Sequence, residues 1–365
     1  MISKELNKYI HTLSKIESKG EERDYHANLL FSINPKQFSK AIKENIVKEE
    51  NLSPCLDKTL VSLMNLDKES EQYINSLPKI HLEEVNKNLL LLNPYYQKLM
   101  NLKPIENNSI SFCIDYFYPF VPFLLDEKVV TSSFEEYSPF GYFKEKIGYP
   151  VLKKDGSNWM ELVPHELNSM KEDIEKACGN VLIFGLGLGY FAYMVSIKKE
   201  VKEITIIEKD KEIIALFKEH LFNEFENKEK IKIIEGDALT FSNFSSFDFV
   251  YIDIYRDELD GLPLLGKMLN NKNLPNDAHF WFISSMLVYL RRFVIVSFEL
   301  ASSPTFKEKE YFDYIKTIKG SCEADRIVYK SYLYFIKSKE YQTAKDIQKA
   351  LSNDSLLEFA KYLFK

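Results

Sequence analysis

The stretch from Asn180 to Asp210, NVLIFGLGLGYFAYMVSIKKEVKEITIIEKD, constrains the fold of this chain more than any other. Its apolar residues predict a buried strand over Val181 to Phe184, and the glycines after that strand predict a turn. A helix is predicted over about Tyr190 to Lys199, and a second strand over Ile204 to Ile207. A strand, a helix and a second strand at this spacing form a βαβ unit, so the sequence predicts an α/β fold.

The predicted turn has a glycine at every second position, at Gly185, Gly187 and Gly189. Glycines allow a ligand to approach the backbone closely, because they have no side chain. An acidic residue, Glu208, ends the second strand, and a carboxylate at this position can accept hydrogen bonds from ribose hydroxyls. Turn and carboxylate together predict a site for a nucleotide-shaped ligand.

Strands and helices continue to alternate after this stretch. A helix is predicted over Lys211 to Leu221, and further strands over Ile231 to Glu235 and Phe247 to Ile252. This alternation indicates a parallel sheet with helices on its faces. In such sheets, ligands bind outside the carboxyl ends of the strands. The residues predicted at those ends include Gly185, Glu208, Asp237 and Asp253.

Composition divides the chain into two predicted domains. Residues 1–140 are expected to form an accessory N-terminal domain, mostly helical, because apolar residues lie three or four positions apart among charged ones. Aromatic residues, prolines and glycines replace that pattern between Asn107 and Trp159, which is typical of short strands and turns that can wall a ligand site. Residues 141–365 are expected to form the α/β domain, with a helical C-terminal part.

Several helices are predicted outside the glycine stretch. One begins at Pro164 and ends at Gly179, and one runs from His279 to about Phe293, with a strand near Val294 to Phe298. The segment from Arg326 to Ile336 fits a strand pair or a helix. Two amphipathic helices are expected over Tyr341 to Lys365, split near Asn353.

Composition excludes several classes of protein. The chain has 365 residues, is 45% hydrophobic and carries a net charge of −6, which predicts a globular protein that does not bind nucleic acid by default. The N-terminus lacks the apolar core of a secretory signal, and Arg291 and Arg292 interrupt the most apolar helix, so we expect a cytoplasmic protein without a membrane span. The four cysteines form no CxxC pair, and no metal site is predicted; they are Cys55, Cys113, Cys178 and Cys322.

The stretch from about Gly179 to Asp257 resembles the class I S-adenosylmethionine-dependent methyltransferases. The resemblance implies a doubly wound, mostly parallel sheet and methyl transfer from S-adenosylmethionine to a small-molecule or protein acceptor. The glycine turn GLGLG, over Gly185, Gly187 and Gly189, would wrap the methionine part of the cofactor. Glu208 would hold the ribose hydroxyls, Asp237 and Ala238 would meet the adenine, and Asp253 would face the reacting centre as the catalytic residue.

A dinucleotide cofactor fits the glycine turn less well. The corresponding motif, G-x-G-x-x-G/A, needs a small residue five positions after the first glycine, where the helix packs against the strand. Counted from Gly185, that position is Tyr190. A nicotinamide or flavin enzyme is therefore the weaker alternative.

The chain departs from the methyltransferase pattern at Ile183. Many members of that family have Asp or Glu two residues before the first glycine, where it helps to organise the amino group of the cofactor. The polyamine aminopropyltransferases, such as spermidine synthase, share this departure and use decarboxylated S-adenosylmethionine. A histidine and glutamate pair, here His165 and Glu166, also precedes their glycine strand. Their fourth strand typically ends D-S-x-D-P, whereas this chain has Asp253, Ile254, Tyr255, Arg256 and Asp257.

Aminopropyl transfer to a polyamine is therefore the alternative activity, and a cofactor-binding module without catalysis is the alternative that is not an enzyme. Asp253 is the best candidate for orienting or deprotonating an acceptor, because it follows a strand of the predicted sheet. His165 is a second candidate base, and Tyr255 and Arg256 are candidates for the acceptor site. The acceptor and the oligomeric state do not follow from the sequence.

Overall fold

A computed structural model describes residues 3–46, 52–107, 109–317 and 323–365, so Cys322 lies outside the described residues. The N-terminal part is helical, as its apolar spacing predicts. Side chains accept hydrogen bonds from backbone N–H groups at several helix starts, for example at Ser3, Asp67 and Asn93. The elements of this part are α1 (Lys4–Phe31), α2 (Pro35–Ile46), α3 (Leu52–Met64), α4 (Lys68–Ser76), β1 (Leu82–Glu84), α5 (Asn88–Leu91) and α6 (Pro94–Met100).

Short strands follow, where the sequence predicts strands and turns. A four-stranded antiparallel sheet has the order β2-β3-β8-β9, and β3 pairs with β8 from Ile110↔Lys154 to Phe117↔Ile147. This pairing crosses residue 140, and the domain boundary expected there stays a prediction. The strands are β2 (Ile105–Asn107), β3 (Ile110–Phe117), β4 (Phe123–Leu124), β5 (Val129–Val130), β6 (Glu136–Tyr137), β7 (Phe140–Tyr142), β8 (Ile147–Lys154) and β9 (Ser157–Glu161).

A parallel five-stranded sheet forms next, so the chain is an α/β protein. The strand order is β12-β11-β10-β13-β14, and every neighbouring pair is parallel. The elements of this part are α7 (Pro164–Ser169), α8 (Lys171–Lys176), β10 (Gly179–Phe184), α9 (Tyr190–Ser196), β11 (Val201–Glu208), α10 (Lys211–Leu216), β12 (Ile231–Glu235), β13 (Phe249–Ile252), α11 (Glu258–Leu269) and β14 (His279–Phe280).

The central strand β10 lies between β11 and β13, so the later strands of the sheet lie on both sides of it. Backbone hydrogen bonds continue the pairing just past the strand ends. Gly185 N–H donates to the Ile207 carbonyl at 2.9 Å, and Asp253 N–H donates to the Phe184 carbonyl at 2.8 Å. The loops that follow these strands therefore start side by side at one edge of the sheet, where parallel α/β sheets bind ligands.

The C-terminal part is helical. Its elements are α12 (Ile283–Ser302), α13 (Glu308–Thr317), α14 (Glu323–Ser331), α15 (Ala344–Ala350) and α16 (Asn353–Leu363). The last two confirm the pair of helices expected over Tyr341 to Lys365. The segment from Arg326 to Ile336 is helical, because α14 continues as a π-helical turn over Tyr332–Lys337.

Two expected helices differ from the structure. The helix expected from His279 starts at Ile283 and continues to Ser302, so the strand expected near Val294 to Phe298 is wrong. His279 instead belongs to β14, because its backbone pairs with Tyr251 of β13. The helix expected from Pro164 to Gly179 is broken at Met170 into α7 and α8, and Gly179 begins β10.

The main hydrophobic core joins the parallel sheet to the N-terminal part. Leu6, Ile10 and Leu13 of α1 belong to the same buried cluster as the strands β10 and β13. A second cluster packs the end of α1 against α2, α3 and α4. The described helices include none with the length and apolar composition that a membrane span requires.

Candidate functional site

A cavity of about 610 Å³ lies at the carboxyl ends of the parallel strands. We call it the main cavity. Residues from β10, β11, β12 and β13 or the loops after them contribute to its walls, so the tertiary structure brings together residues that are distant in sequence. Six of the predicted site residues line it: Gly185, Gly187, Glu208, Asp237, Ala238 and Asp253. Gly189 lies outside these walls.

The glycine turn is closely packed on the protein side. Gly185 has a φ of +94°, and a Cβ atom there would lie 1.8 Å from the carbonyl oxygen of Asp253. At Gly189, with a φ of +81°, a Cβ atom would lie 2.4 Å from the Phe217 ring. Both positions therefore require glycine for the turn itself, because φ is positive and space is absent. This packing keeps the turn directly against β13.

Glu208 at the end of β11 holds the glycine turn in place. Its Oε2 accepts a hydrogen bond from Leu186 N–H at 2.9 Å, and its Oε1 accepts one from Asp210 N–H at 2.7 Å. Each carboxylate oxygen has a second lone pair. The Glu208 carboxylate can therefore still accept hydrogen bonds from a ligand in the main cavity.

Asp237 follows β12 and caps a short 3₁₀ helix that begins at Ala238. Its Oδ1 accepts from Leu239 N–H at 3.0 Å, and its Oδ2 lies 2.8 Å from Lys209 Nζ. The Lys209 ammonium and these hydrogen bonds lower the pKa of Asp237. Asp237 is thus an ionised carboxylate that shapes the wall, and the buried Ala238 leaves room beside it.

Aromatic side chains form the opposite wall. The Tyr255 hydroxyl donates to the Trp281 carbonyl, and the two rings stack with 6.0 Å between centroids. Trp159 of β9 lies beneath two cations, with the Arg256 guanidinium and the Lys154 ammonium each 5.2 Å from its ring centroid. Trp159, at the end of the strand and turn segment, thus supplies part of the wall, whereas other aromatic side chains of that segment, such as Phe112 and Phe143, are buried in the core.

The cations of the main cavity all have acidic partners. Arg256 Nε lies 3.1 Å from Asp260 Oδ2, and Lys154 forms an ion pair with Asp210. Lys209 pairs with Asp237 at 2.8 Å, and Lys211 pairs with Glu235 at 3.2 Å. The cavity therefore presents its cations in neutralised pairs.

Asp253 differs from these paired residues. Burial raises the pKa of its carboxyl to about 8, and the nearby Glu208 carboxylate raises it further. Neither a hydrogen bond nor an ion pair from the described residues stabilises its ionised form. A carboxyl group whose pKa lies near neutrality can exchange a proton with a ligand.

Glu166 on α7 is a second carboxyl group of this kind. Burial raises its pKa well above the ordinary value, and the charges of Asp253 and Glu161 add to that effect. No partner among the described residues offsets it. The sequence pairs Glu166 with His165 but does not reveal Glu166 as a site residue, because an acidic residue in the first turn of a helix is already explained by the helix dipole.

Glu166 also lines a smaller cavity of about 20 Å³, which we call the side cavity. The side cavity shares Met160, Glu166, Gly185, Leu186 and Asp253 with the main cavity. Its remaining walls include Ile183, Gly189, Tyr190 and Tyr251. Ile183 and the unpaired Glu166 carboxyl thus line the same small space. Ile183 is the position at which many methyltransferases have an acidic residue.

His165 lies outside the walls of both cavities. It is 8% exposed, and its ring packs edge-on against Phe282 with 5.2 Å between centroids. Burial lowers the pKa of His165 to about 4, so its imidazole is neutral at physiological pH. This arrangement is that of a packed core residue. The described residues also contain no group of three or more His, Cys, Asp or Glu side chains placed to bind a metal ion.

No protein-family model matches this sequence, and no curated protein matches it. Among solved structures, spermidine synthase from Thermotoga maritima is 16% identical over 53% of this chain and 71% of its own, with a TM-score of 0.27. The StiE O-MT segment, residues 942–1257, is 16% identical over 53% of this chain and 78% of its own, with a TM-score of 0.25. Similarity at this level leaves the function to be argued from the site itself.

Proposed function

We propose that this protein is an S-adenosylmethionine-dependent methyltransferase with a doubly wound sheet, acting on a small-molecule or protein acceptor. The observation that carries the proposal is the convergence of Gly185, Glu208, Asp237 and Asp253 on one cavity. These residues end or follow four adjacent parallel strands, and their order along the chain is the one found in the S-adenosylmethionine-dependent methyltransferases that this stretch resembles.

The nucleoside half would bind between β11 and β12. The free lone pairs of Glu208 would accept hydrogen bonds from the ribose hydroxyls, and Ala238 would leave space for the adenine beside Asp237. The backbone turn at Gly185 and Gly187 would lie against the methionine part. When bound, the cofactor supplies a methyl carbon that its sulfonium already activates.

The protein's own contribution is alignment and charge. The unpaired carboxyl groups of Asp253 and Glu166 favour a cation in the cavity, because a buried carboxylate without a partner is costly. Asp253 can accept a proton from the acceptor nucleophile, since its pKa of about 8 lies close to neutral pH. Trp281 and Tyr255 line this end of the cavity with apolar ring surface. Orienting two reactants in a dry site can account for much of the acceleration.

Aminopropyl transfer from decarboxylated S-adenosylmethionine is a second candidate, favoured by the paired cations. The carboxylate of S-adenosylmethionine needs a donor, yet the main cavity's lysines and arginine each have an acidic partner. A decarboxylated donor and a polyamine are wholly cationic, and they would suit the unpaired carboxyl groups of Glu166 and Asp253.

Calorimetry with three ligands tests these proposals. We expect S-adenosylmethionine and S-adenosylhomocysteine to bind the folded protein in the micromolar range, at about −8 kcal/mol. Tighter binding of decarboxylated S-adenosylmethionine, with turnover of a polyamine, would show that the protein transfers an aminopropyl group and not a methyl group. Absence of binding by all three would refute both activities. Tight binding without transfer to any acceptor would indicate a module that binds the cofactor without catalysis.

A further inference from the structure

The side cavity is adapted to one small cationic group. Its volume of about 20 Å³ holds a single water-sized group. An ammonium group has that size and carries three N–H donors. The cavity adjoins the main cavity at Gly185, next to the turn that the proposed function assigns to the methionine part.

The walls of the side cavity offer acceptors that the protein leaves unused. The Glu166 and Asp253 carboxyl groups have no hydrogen-bonding or charged partner among the described residues. The Tyr251 hydroxyl is fully buried and is also without a hydrogen-bond partner in the described part of the chain. Buried polar groups are normally paired, so the unpaired Tyr251 hydroxyl, beside two partly exposed carboxyl groups that line the same small space, indicates a missing hydrogen-bonding ligand.

We propose that Glu166 binds the amino group of the S-adenosyl donor, in place of the acidic residue that the chain lacks at Ile183. This inference rests on the proposed function. The Glu166 carboxylate supplies the countercharge from α7, the Tyr251 hydroxyl supplies a further acceptor, and Ile183 supplies only an apolar wall. Glu166 thus binds and orients the S-adenosyl ligand.

The raised pKa of Glu166 in the unliganded protein supports this assignment. Burial and the neighbouring acidic groups raise the pKa of Glu166, so its carboxylate is costly until a cation arrives. An ammonium group would remove that cost and pair with the carboxylate. Methyl and aminopropyl donors both carry this amino group, so the assignment holds for either activity.

Two ligands that differ at the amino-acid end provide the test. S-adenosylhomocysteine carries the amino group, whereas methylthioadenosine shares its nucleoside and sulfur but lacks the whole amino-acid end. In calorimetry, Glu166→Gln is expected to weaken S-adenosylhomocysteine by about 10- to 100-fold and to change methylthioadenosine by less than about twofold. Glu172→Gln on α8 is the matched control, because Glu172 and its ion-pair partner Lys176 both lie outside the two cavities, and it should change neither affinity.

Four outcomes overturn the inference. Unchanged binding of S-adenosylhomocysteine by Glu166→Gln shows that Glu166 does not contact the amino group. Equal weakening of both ligands shows that Glu166 acts on the fold or the nucleoside half. If the wild-type protein binds neither ligand, the proposed function fails together with this inference. If the wild type binds both ligands with equal affinity, only the amino-group assignment fails.

A measurement on the wild-type protein does not depend on the folding of the variant. S-adenosylhomocysteine acetylated on its amino nitrogen has no positive charge there and is too large for a cavity of about 20 Å³. The wild type should bind it at least about tenfold more weakly than S-adenosylhomocysteine. Equal affinities would overturn the inference.

Discussion

Asp253 follows β13 and is a residue whose negative charge is costly in the folded protein. Its pKa rises from the ordinary value of 3.8 to about 8 on folding, so ionisation favours the unfolded chain. The associated stability is complete below about pH 4 and is lost as the pH rises toward about 8. An asparagine at this position does not titrate.

Asp253→Asn should therefore stabilise the unliganded protein at neutral pH while slowing transfer. We expect a gain of about 2–5 kcal/mol near pH 8 and almost none near pH 4, because the pKa rises from 3.8 to about 8, together with a loss of kcat of about 10²- to 10⁴-fold. Thermal unfolding at several pH values measures the first effect, and a transfer assay measures the second. Equal stability of both proteins near pH 8 would contradict the raised pKa.

Gly185 is the residue whose missing side chain matters most, because a Cβ atom would lie 1.8 Å from the Asp253 carbonyl oxygen. Gly185→Ala should cost more than about 3 kcal/mol of unfolding free energy, since it combines a positive φ with a backbone clash. Gly156→Ala is the matched control, because Gly156 has a φ of +78° with nothing within 4 Å. It should cost only about 1 kcal/mol in urea denaturation.

At the scale of elements, α6 buttresses the glycine turn. The Tyr95 hydroxyl donates to the Leu188 carbonyl at 2.5 Å, and the Tyr95 ring stacks on Tyr193 of α9 with 4.5 Å between centroids. Asn93, the N-cap of α6, donates to the Tyr190 hydroxyl at 3.3 Å. A helix of the N-terminal part thus holds the helix that follows the turn.

Tyr95→Phe should therefore loosen the turn as well as the fold. It leaves the buried Leu188 carbonyl without its donor, so we expect a loss of about 1–2 kcal/mol and weaker binding of S-adenosylhomocysteine. Tyr96→Phe removes a similar bond, of 2.7 Å to the Gly148 carbonyl, which lies on the antiparallel sheet. It should reduce stability by a similar amount but leave the affinity unchanged. Equal affinities of both variants for S-adenosylhomocysteine would show that α6 does not support the glycine turn.

At the scale of the whole molecule, the N-terminal part and the parallel sheet share one core. Leu6 and Ile10 of α1 and Tyr95 of α6 belong to the same buried cluster as β10 and β13. The strand β3 also supplies the partner of β8. Removal of residues 1–140 would expose this core and one long strand edge, which favours aggregation.

A fragment of residues 141–365 should therefore fail to fold alone, although the sequence predicts a domain there. We expect no cooperative unfolding transition and no binding of S-adenosylhomocysteine by the isolated fragment. Co-expression with residues 1–140 as a separate chain should restore both, because the missing strand and helices return. A cooperative transition in the fragment alone would support an independent domain and contradict the shared core.

The sequence predicts the parallel unit well because its signals are local. Apolar runs mark β10 and β12, and the turn between β10 and α9 needs glycine for its own backbone angles. Such local signals do not reveal which strands pair when they are far apart in the sequence. The sequence predicts a helix at His279. In the structure His279 forms a strand instead, because its backbone pairs with Tyr251 of β13.

Local patterns in the sequence predict the succession of β10 to β13 along the chain and the polar residues at the ends of these strands, since hydrophobic periodicity and glycine turns act over a few residues. The tertiary structure alone decided that these ends form one cavity, that α6 supports the glycine turn, and that Glu166 faces the same space as Ile183. The physical reason is that burial and charge depend on neighbours from distant parts of the chain. Glu166 lies in a helix start that explains an acidic residue locally, and only the packed molecule leaves its carboxyl group without a partner.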